Sequence, residues 1–184
     1  PHFDRVLDEI AVIDPDVVAL QEAFPLSAMV GEAFQGWHSI NHETYWVGSR
    51  YPVKLIAHCE IPIYQRSAGV IVEIETPAGP VRLGDIHQMT ARRGLTELSK
   101  RSLLDGEGPR RLEASQASRI EECLMIREQV ESARGDRPLI VVGDFNTPVS
   151  SQMFQQHWGD FQSAFDQAGI GYGYTSPCKG NRFW

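Results

Sequence analysis

Two short apolar runs, Val17-Val18-Ala19-Leu20 and Leu139-Ile140-Val141-Val142, constrain the folding of this chain more than any other feature. Neither alternates polar with apolar residues, the pattern of a strand covered on both faces. Both end in polar groups, Gln21-Glu22 and Gly143-Asp144-Phe145-Asn146. A helical segment precedes each run. Phe3, Val6, Leu7 and Ile10 recur at helical spacing and predict an amphipathic helix over 3–13 that Asp14-Pro15 ends. Leu112, Ile120, Leu124 and Ile126 predict a second helix over 111–132, with Gly135 as its stop. Helices laid on buried strands define a layered α/β domain, whose ligand groups gather at strand ends.

Between these runs the pattern turns to β. Strands are predicted over 44–48, 53–58, 68–75 and 81–87, the last two joined by the turn Thr76-Pro77-Ala78-Gly79-Pro80. A short helix is predicted over 26–35. From Gln88 to Pro109 periodicity is poor and Gly94, Gly106, Gly108 and Pro109 interrupt it, which predicts a long excursion with one short helix. Residues 154–168 read as partly helical and 169–180 as a glycine-rich loop. There is no internal repeat and no low-complexity tract.

At 184 residues, with 42% hydrophobic and 22% charged residues, the expectation is one globular domain. The apolar runs are too short to cross a bilayer. Pro1-His2-Phe3-Asp4-Arg5 lacks the pattern of a secretory signal, so the chain reads as cytoplasmic or already trimmed. A net charge of -7 argues against a broad duplex-DNA footprint, although residues 88–119 carry seven basic against four acidic side chains. Cys59, Cys123 and Cys178 lie far apart and suggest neither a zinc site nor a disulfide framework.

Phosphate ester cleavage needs a cation to neutralise phosphoryl charge, a group to orient and activate water, and a donor for the remaining oxygens. Carboxylates at strand ends suit magnesium. Glu22 ends one buried strand, Asp144 and Asn146 follow another, and His87 ends Val81-Arg82-Leu83-Gly84-Asp85-Ile86. The spacing of Asp144 and Asn146 places both side chains on one face if strand geometry continues. Asp85 shares the face of His87 further back, where a structural and a functional role are equally open. Arg92 and Arg93 offer guanidinium forks for substrate phosphate, against the plainer reading as solvated loop residues. His38, His42, His58 and His157 have no ligand spacing, and the tryptophans read as packing residues.

These residues lie in blocks that resemble the endonuclease/exonuclease/phosphatase family. Asp14-Pro15-Asp16-Val17-Val18-Ala19-Leu20-Gln21-Glu22 is similar to the block whose glutamate binds the divalent metal. Ser49-Arg50-Tyr51-Pro52 resembles its Ser-Arg-x-Pro turn, and Gly84-Asp85-Ile86-His87 its histidine-bearing strand. Leu139 to Asn146 resembles its Gly-Asp-Phe-Asn block, the strongest single signal, and 160–175 its late helix and loop. The resemblance implies a DNase I-like, four-layer α/β sandwich with two packed, mostly antiparallel sheets between helices, forming one domain over 1–184. It implies that Glu22 holds Mg2+ or Mn2+, that Asp144 orients and deprotonates the water, and that Asn146 holds a phosphate oxygen or assists the metal. His87 would bind phosphate or protonate the leaving oxygen.

Two family features are absent: an asparagine on a strand before the first helix, and a late Asp-bearing strand followed by Ser-Asp-His. The expectation is a domain lacking its first and last strands, with little turnover from these residues alone. The family serves nucleases, inositol phosphatases, sphingomyelinases and phosphatases of lipid-linked pyrophosphates, so the substrate stays open between lipid-linked phosphate, small phosphoester and nucleic acid. Thr90 to Leu95 and Gly171 to Pro177 resemble membrane-associated bacterial members related to glycopeptide-resistance phosphatases, a lean toward association through upstream sequence. A nuclease and a catalytically inactive binding module are the alternatives; magnesium-dependent hydrolysis separates the last from the others. Oligomeric state is not indicated.

Overall fold

The computed structural model describes residues 3–24, 27–96, 106–170 and 175, with the side chains of Phe3, Ser27 and Arg93 outside the described set. Two compact units result, Pro1–Pro148 and Val149–Trp184. The first contains α1 (Phe3–Ile13), β1 (Val17–Leu20), α2 (Ser27–Ala33), β2 (His38–His42), β3 (Tyr45–Ser49), β4 (Val53–Ile61), β5 (Arg66–Thr76), β6 (Gly79–His87), α3 (Arg92–Thr96), α4 (Glu107–Arg134) and β7 (Leu139–Asp144).

The strands form a three-stranded antiparallel sheet, β1-β3-β2, and a four-stranded sheet, β4-β5-β6-β7, in which only β6 and β7 are parallel. Period-two alternation sorts their side chains. Val17, Ala19, Ile40, Tyr45 and Val47 of the first sheet meet Val53, Leu55, Val70, Val72, Ile74, Leu83 and Val142 of the second in one core. The opposite face of the first sheet, Val18, Leu20 and Trp46, packs on Ile10 of α1 and Val30 of α2. Helix α4 covers the other face of the second sheet, where Gly84 lets Val130 approach to 3.6 Å of an ideal Cβ position. The order is helix, sheet, sheet, helix, as the resemblance implied.

Local chemistry explains the joints. Arg50, in the turn after β3, binds the Asp14 carboxylate, donates through its side chain to Pro15 O at 3.2 Å, and donates its backbone N–H to Asp16 O at 3.0 Å. The β3 exit is thereby tied to the turn between α1 and β1. A register shift between Cys59 and Glu60 passes over Ala68 of β5, and beside it Gln129 of α4 takes the Glu60 N–H at 2.9 Å and its carbonyl at 3.0 Å. At the β5–β6 hairpin, Thr76 Oγ1 donates to Gly79 O at 2.7 Å and accepts from Ala78 N at 3.2 Å.

Three sequence expectations need correction. Strand β2 was not foreseen, because His38-Ser39-Ile40-Asn41-His42 contributes only Ile40 to the core. The buried face of α4 is Arg119, Glu122, Cys123, Ile126 and Val130, while Leu124 is 51% exposed. Charged residues hold the places that apolar spacing was expected to fill. Strand β7 is not covered on both faces: it lies at the edge of its sheet among the described residues, and Ile140 is 50% exposed.

The second unit contains α5 (Gln152–Trp158) and α6 (Ala164–Ala168). Ser151 caps α5 by accepting from Phe154 N at 3.2 Å, and Ser163 caps α6 by accepting from Asp166 N at 3.3 Å. Most of the glycine-rich stretch 171–184, with Cys178 and the segment resembling membrane-associated members, lies outside the described residues, as does 97–105. No helix among the described residues is long and apolar enough to cross a membrane.

Candidate active site

The crossover through α3 and α4 returns the chain so that β7 runs parallel to β6, which sets their C-terminal ends side by side. The register pairs Leu83 with Ile140, Asp85 with Val142 and His87 with Asp144. All six fall on the inner face. Along β6 this face runs from buried Leu83 through fully buried Asp85 to His87 at the rim, and His87 Nε2 stands 4.0 Å from Asp144 Oδ2. The Asp144 carboxylate is more than half exposed, open to an incoming ligand.

Strand geometry stops at Asp144. Gly143 adopts φ +130°, and a Cβ there would lie 1.9 Å from Ile86 O, so only glycine fits between the two strands. Beyond it, Asp144 Oδ1 accepts the Asn146 amide at 2.8 Å, and Asn146 takes φ 47°, a left-handed conformation asparagine tolerates. Period-two alternation therefore does not carry Asn146 alongside Asp144. Instead Asn146 Nδ2 donates to Gln88 O at 2.8 Å, and Gln88 N donates to Asp144 O at 2.9 Å. The loops after β6 and β7 are stitched together from both sides.

Strand β1 supplies Glu22, exposed and at φ 57°. Its neighbours fix it: buried Ala23 donates its amide to Thr44 O at 2.8 Å, and Gln21 Nε2 donates to Asp85 Oδ1 across the two sheets. Burial pushes the Asp85 carboxyl up to about 7, opposed by the Gln21 hydrogen bond, and Asp85 Oδ2 has no hydrogen-bond partner. An open cleft of about 340 Å³ lies here, lined by Val17, Ala19, Gln21, Leu83, Val142 and Gly143.

The structure thus brings His87, Asp144 and Asn146 together, while Glu22 follows Gln21, whose side chain contacts Asp85. Arg92 starts α3, exposed, with its amide on Thr90 Oγ1 at 3.3 Å; the Arg93 side chain lies outside the described residues. His42 and His58, read as ordinary residues, stack between β2 and β4 with ring centroids 3.7 Å apart. Cys59 and Cys123 are buried, and burial pushes the Cys59 thiol up to about 12, far from a reactive thiolate.

Sequence reasoning missed three residues beneath the site. Arg66 Nη1 donates to the fully buried Glu122 Oε1 at 2.8 Å, and Arg66 Nη2 to His87 O at 2.7 Å. Glu122 Oε2 accepts the Met89 amide at 2.6 Å. Arg119 donates to Met89 O at 3.0 Å, and through Nη2 to both Asn146 O and Thr147 Oγ1 at 2.8 Å. The signal in the sequence was an Arg and a Glu three residues apart amid the apolar spacing of a helix.

The chain belongs to the endonuclease/exonuclease/phosphatase family, whose sequence profile matches residues 1–184, the whole chain. Members of that family are hydrolases acting on phosphoesters, and its fold is the DNase I-like sandwich seen here. No curated protein matches the chain. Among solved structures it is similar to the crystal structure of SmcL, at 16% identity and a TM-score of 0.49, over 78% of this chain and 55% of that one. The chain therefore spans just over half the length of that relative.

Proposed function

We propose that this protein hydrolyses a phosphoester with a water activated beside Asp144, at a magnesium- or manganese-dependent site that also uses Glu22, His87 and Asn146. The observation that supports it most is the pairing of His87 with Asp144 in register at the rim, 4.0 Å apart. Asp144 orients the attacking water and takes its proton. His87, on the neighbouring strand end, binds the phosphoryl group or returns a proton to the leaving oxygen. Asn146 secures the loop on which both stand and offers its carboxamide oxygen to the site.

No group of three or more His, Cys, Asp or Glu among the described residues is arranged to hold a metal. Magnesium keeps several waters and takes one or two carboxylates plus substrate phosphate, and the exposed Glu22 supplies such a carboxylate. When bound, the cation neutralises phosphoryl charge. Both units belong to one domain in this reading, since the family match runs through each. Arg92, and Arg93 beside it, would meet the phosphate of the substrate, whether a lipid-linked phosphate, a small phosphoester or a nucleic acid.

Metal titration tests the reading. Initial rates on a generic phosphodiester and a phosphomonoester, in the full-length polypeptide carrying these residues, should saturate with Mg2+, and Glu22→Ala should shift the half-saturating concentration upward about 10- to 100-fold. Rates independent of added metal and of chelator would overturn it.

A further inference from the structure

Five successive backbone polar groups, from His87 O to Met89 O, each have a hydrogen-bond partner outside their own strand. Arg66 takes His87 O; Asp144 O and Asn146 Nδ2 take the N–H and carbonyl of Gln88; Glu122 takes Met89 N and Arg119 takes Met89 O. Irregular backbone leaving a parallel strand pair has no ladder to continue, so something must hold it. Here Asp144 and Asn146 hold Gln88, and the groups on either side fall to two residues of one helix turn of α4 and one residue at the start of β5.

The charges are arranged to make the hold stiff. Glu122 is fully buried and Arg119 is 7% exposed. Burial lowers the Arg119 pKa, and the Glu122 carboxylate opposes that shift. Arg66 holds this anion through Nη1 and spends Nη2 on a loop carbonyl, while Arg119 Nη1 donates to Gln116 Oε1 at 3.1 Å. The remaining Arg119 donors touch both loops: Met89 O beyond β6, and Asn146 O and Thr147 Oγ1 beyond β7. A planar fork with donors at fixed angles fixes the spacing of two carbonyls; an ammonium on a flexible stem does not.

We infer that Arg119, with Glu122 one turn further along α4, is a positioning residue of the site, holding the loops after β6 and β7 at the separation that sets His87 against Asp144. This inference rests on the phosphoesterase reading for its effect on rate, while the clamp is measurable without turnover. Neither residue reaches the rim, so both act through the backbone. A misplacement of about 1 Å in such a pair costs on the order of 100-fold in rate.

The experiment compares wild type, Arg119→Lys and Thr147→Val in the full-length polypeptide. Two readouts are taken: steady-state hydrolysis of bis(4-nitrophenyl) phosphate with Mg2+, and amide hydrogen exchange at Gln88, Asn146 and, as a control, Val72. Arg119→Lys keeps the charge and should lower kcat about 10- to 100-fold with KM changed less than about threefold. Exchange at Gln88 and Asn146 should accelerate at least about tenfold while Val72 stays protected. Thr147→Val removes one acceptor without touching the Arg66–Glu122 ion pair and should move both readouts the same way, about two- to fivefold. Wild-type kcat together with unchanged exchange at Gln88 and Asn146 would overturn the clamp. If Arg119→Lys does not fold, Thr147→Val decides by the same criteria. If wild type hydrolyses nothing, the phosphoesterase reading fails, and exchange alone decides the clamp.

Discussion

Gln21 hands a hydrogen bond across the sandwich to Asp85, joining the strand that leads to Glu22 with the strand that leads to His87. Asp85 is fully buried with one oxygen unpartnered, and burial raises its pKa from 3.8 to about 7. The sign follows from linkage: the native state favours the protonated acid, so its stabilising contribution is complete below about pH 3.8 and lost as pH rises through about 7. At pH 8 the ionised form costs on the order of a few kcal/mol. Asp85→Asn, which keeps an acceptor for Gln21 and cannot ionise, should flatten the fall in Tm between pH 5 and pH 8. An unaltered pH dependence of Tm in the variant would show that Asp85 is not the group responsible.

Glu22 holds a left-handed conformation, φ 57°, that favours glycine. A side chain in that region costs about 1 kcal/mol or more, which the neighbours Gln21 and Ala23 hold in place. Glu22→Gly should therefore leave Tm unchanged or raise it by a few degrees while shifting the half-saturating Mg2+ concentration upward about 10- to 100-fold, as Glu22→Ala does. Loss of both stability and activity in thermal melts and rate assays would argue that the carboxylate is structural.

Gly143 is the opposite case. At φ +130°, with Ile86 O 1.9 Å from an ideal Cβ, alanine has no room unless β6 and β7 part. Gly143→Ala should destabilise by about 3 kcal/mol or more, read as a lower denaturation midpoint with an unchanged m-value. A variant as stable as wild type would mean that this register is wrong.

Much of the layered fold was legible because the signals were local. The apolar runs ending at Leu20 and Val142, the helical spacing of Phe3 to Ile10 and the turn at Thr76 to Pro80 each carry their own cause. His87, Asp144 and Asn146 were legible as blocks at strand ends. What could not be read were relationships set by tertiary context. Strand β2 pairs through its backbone and offers one apolar residue, so its composition looked like loop. The α4 face that packs inward contains Arg119 and Glu122, because loop carbonyls and amides needed partners there, and apolar periodicity cannot register that demand. Asn146 departs from period two because the backbone turns on the Asp144 carboxylate.

The central claim is that Asp144 activates water for phosphoester hydrolysis, and Asp144→Asn tests it most directly. The amide keeps an oxygen able to accept from Asn146 N, and the Asp144 backbone bond to Gln88 is untouched, so the loop geometry survives. Only the proton acceptor is lost. At saturating Mg2+ in the full-length polypeptide, kcat for a generic phosphodiester or phosphomonoester should fall about 1,000-fold or more with Tm within a few degrees of wild type. A kcat within about threefold of wild type would contradict the account.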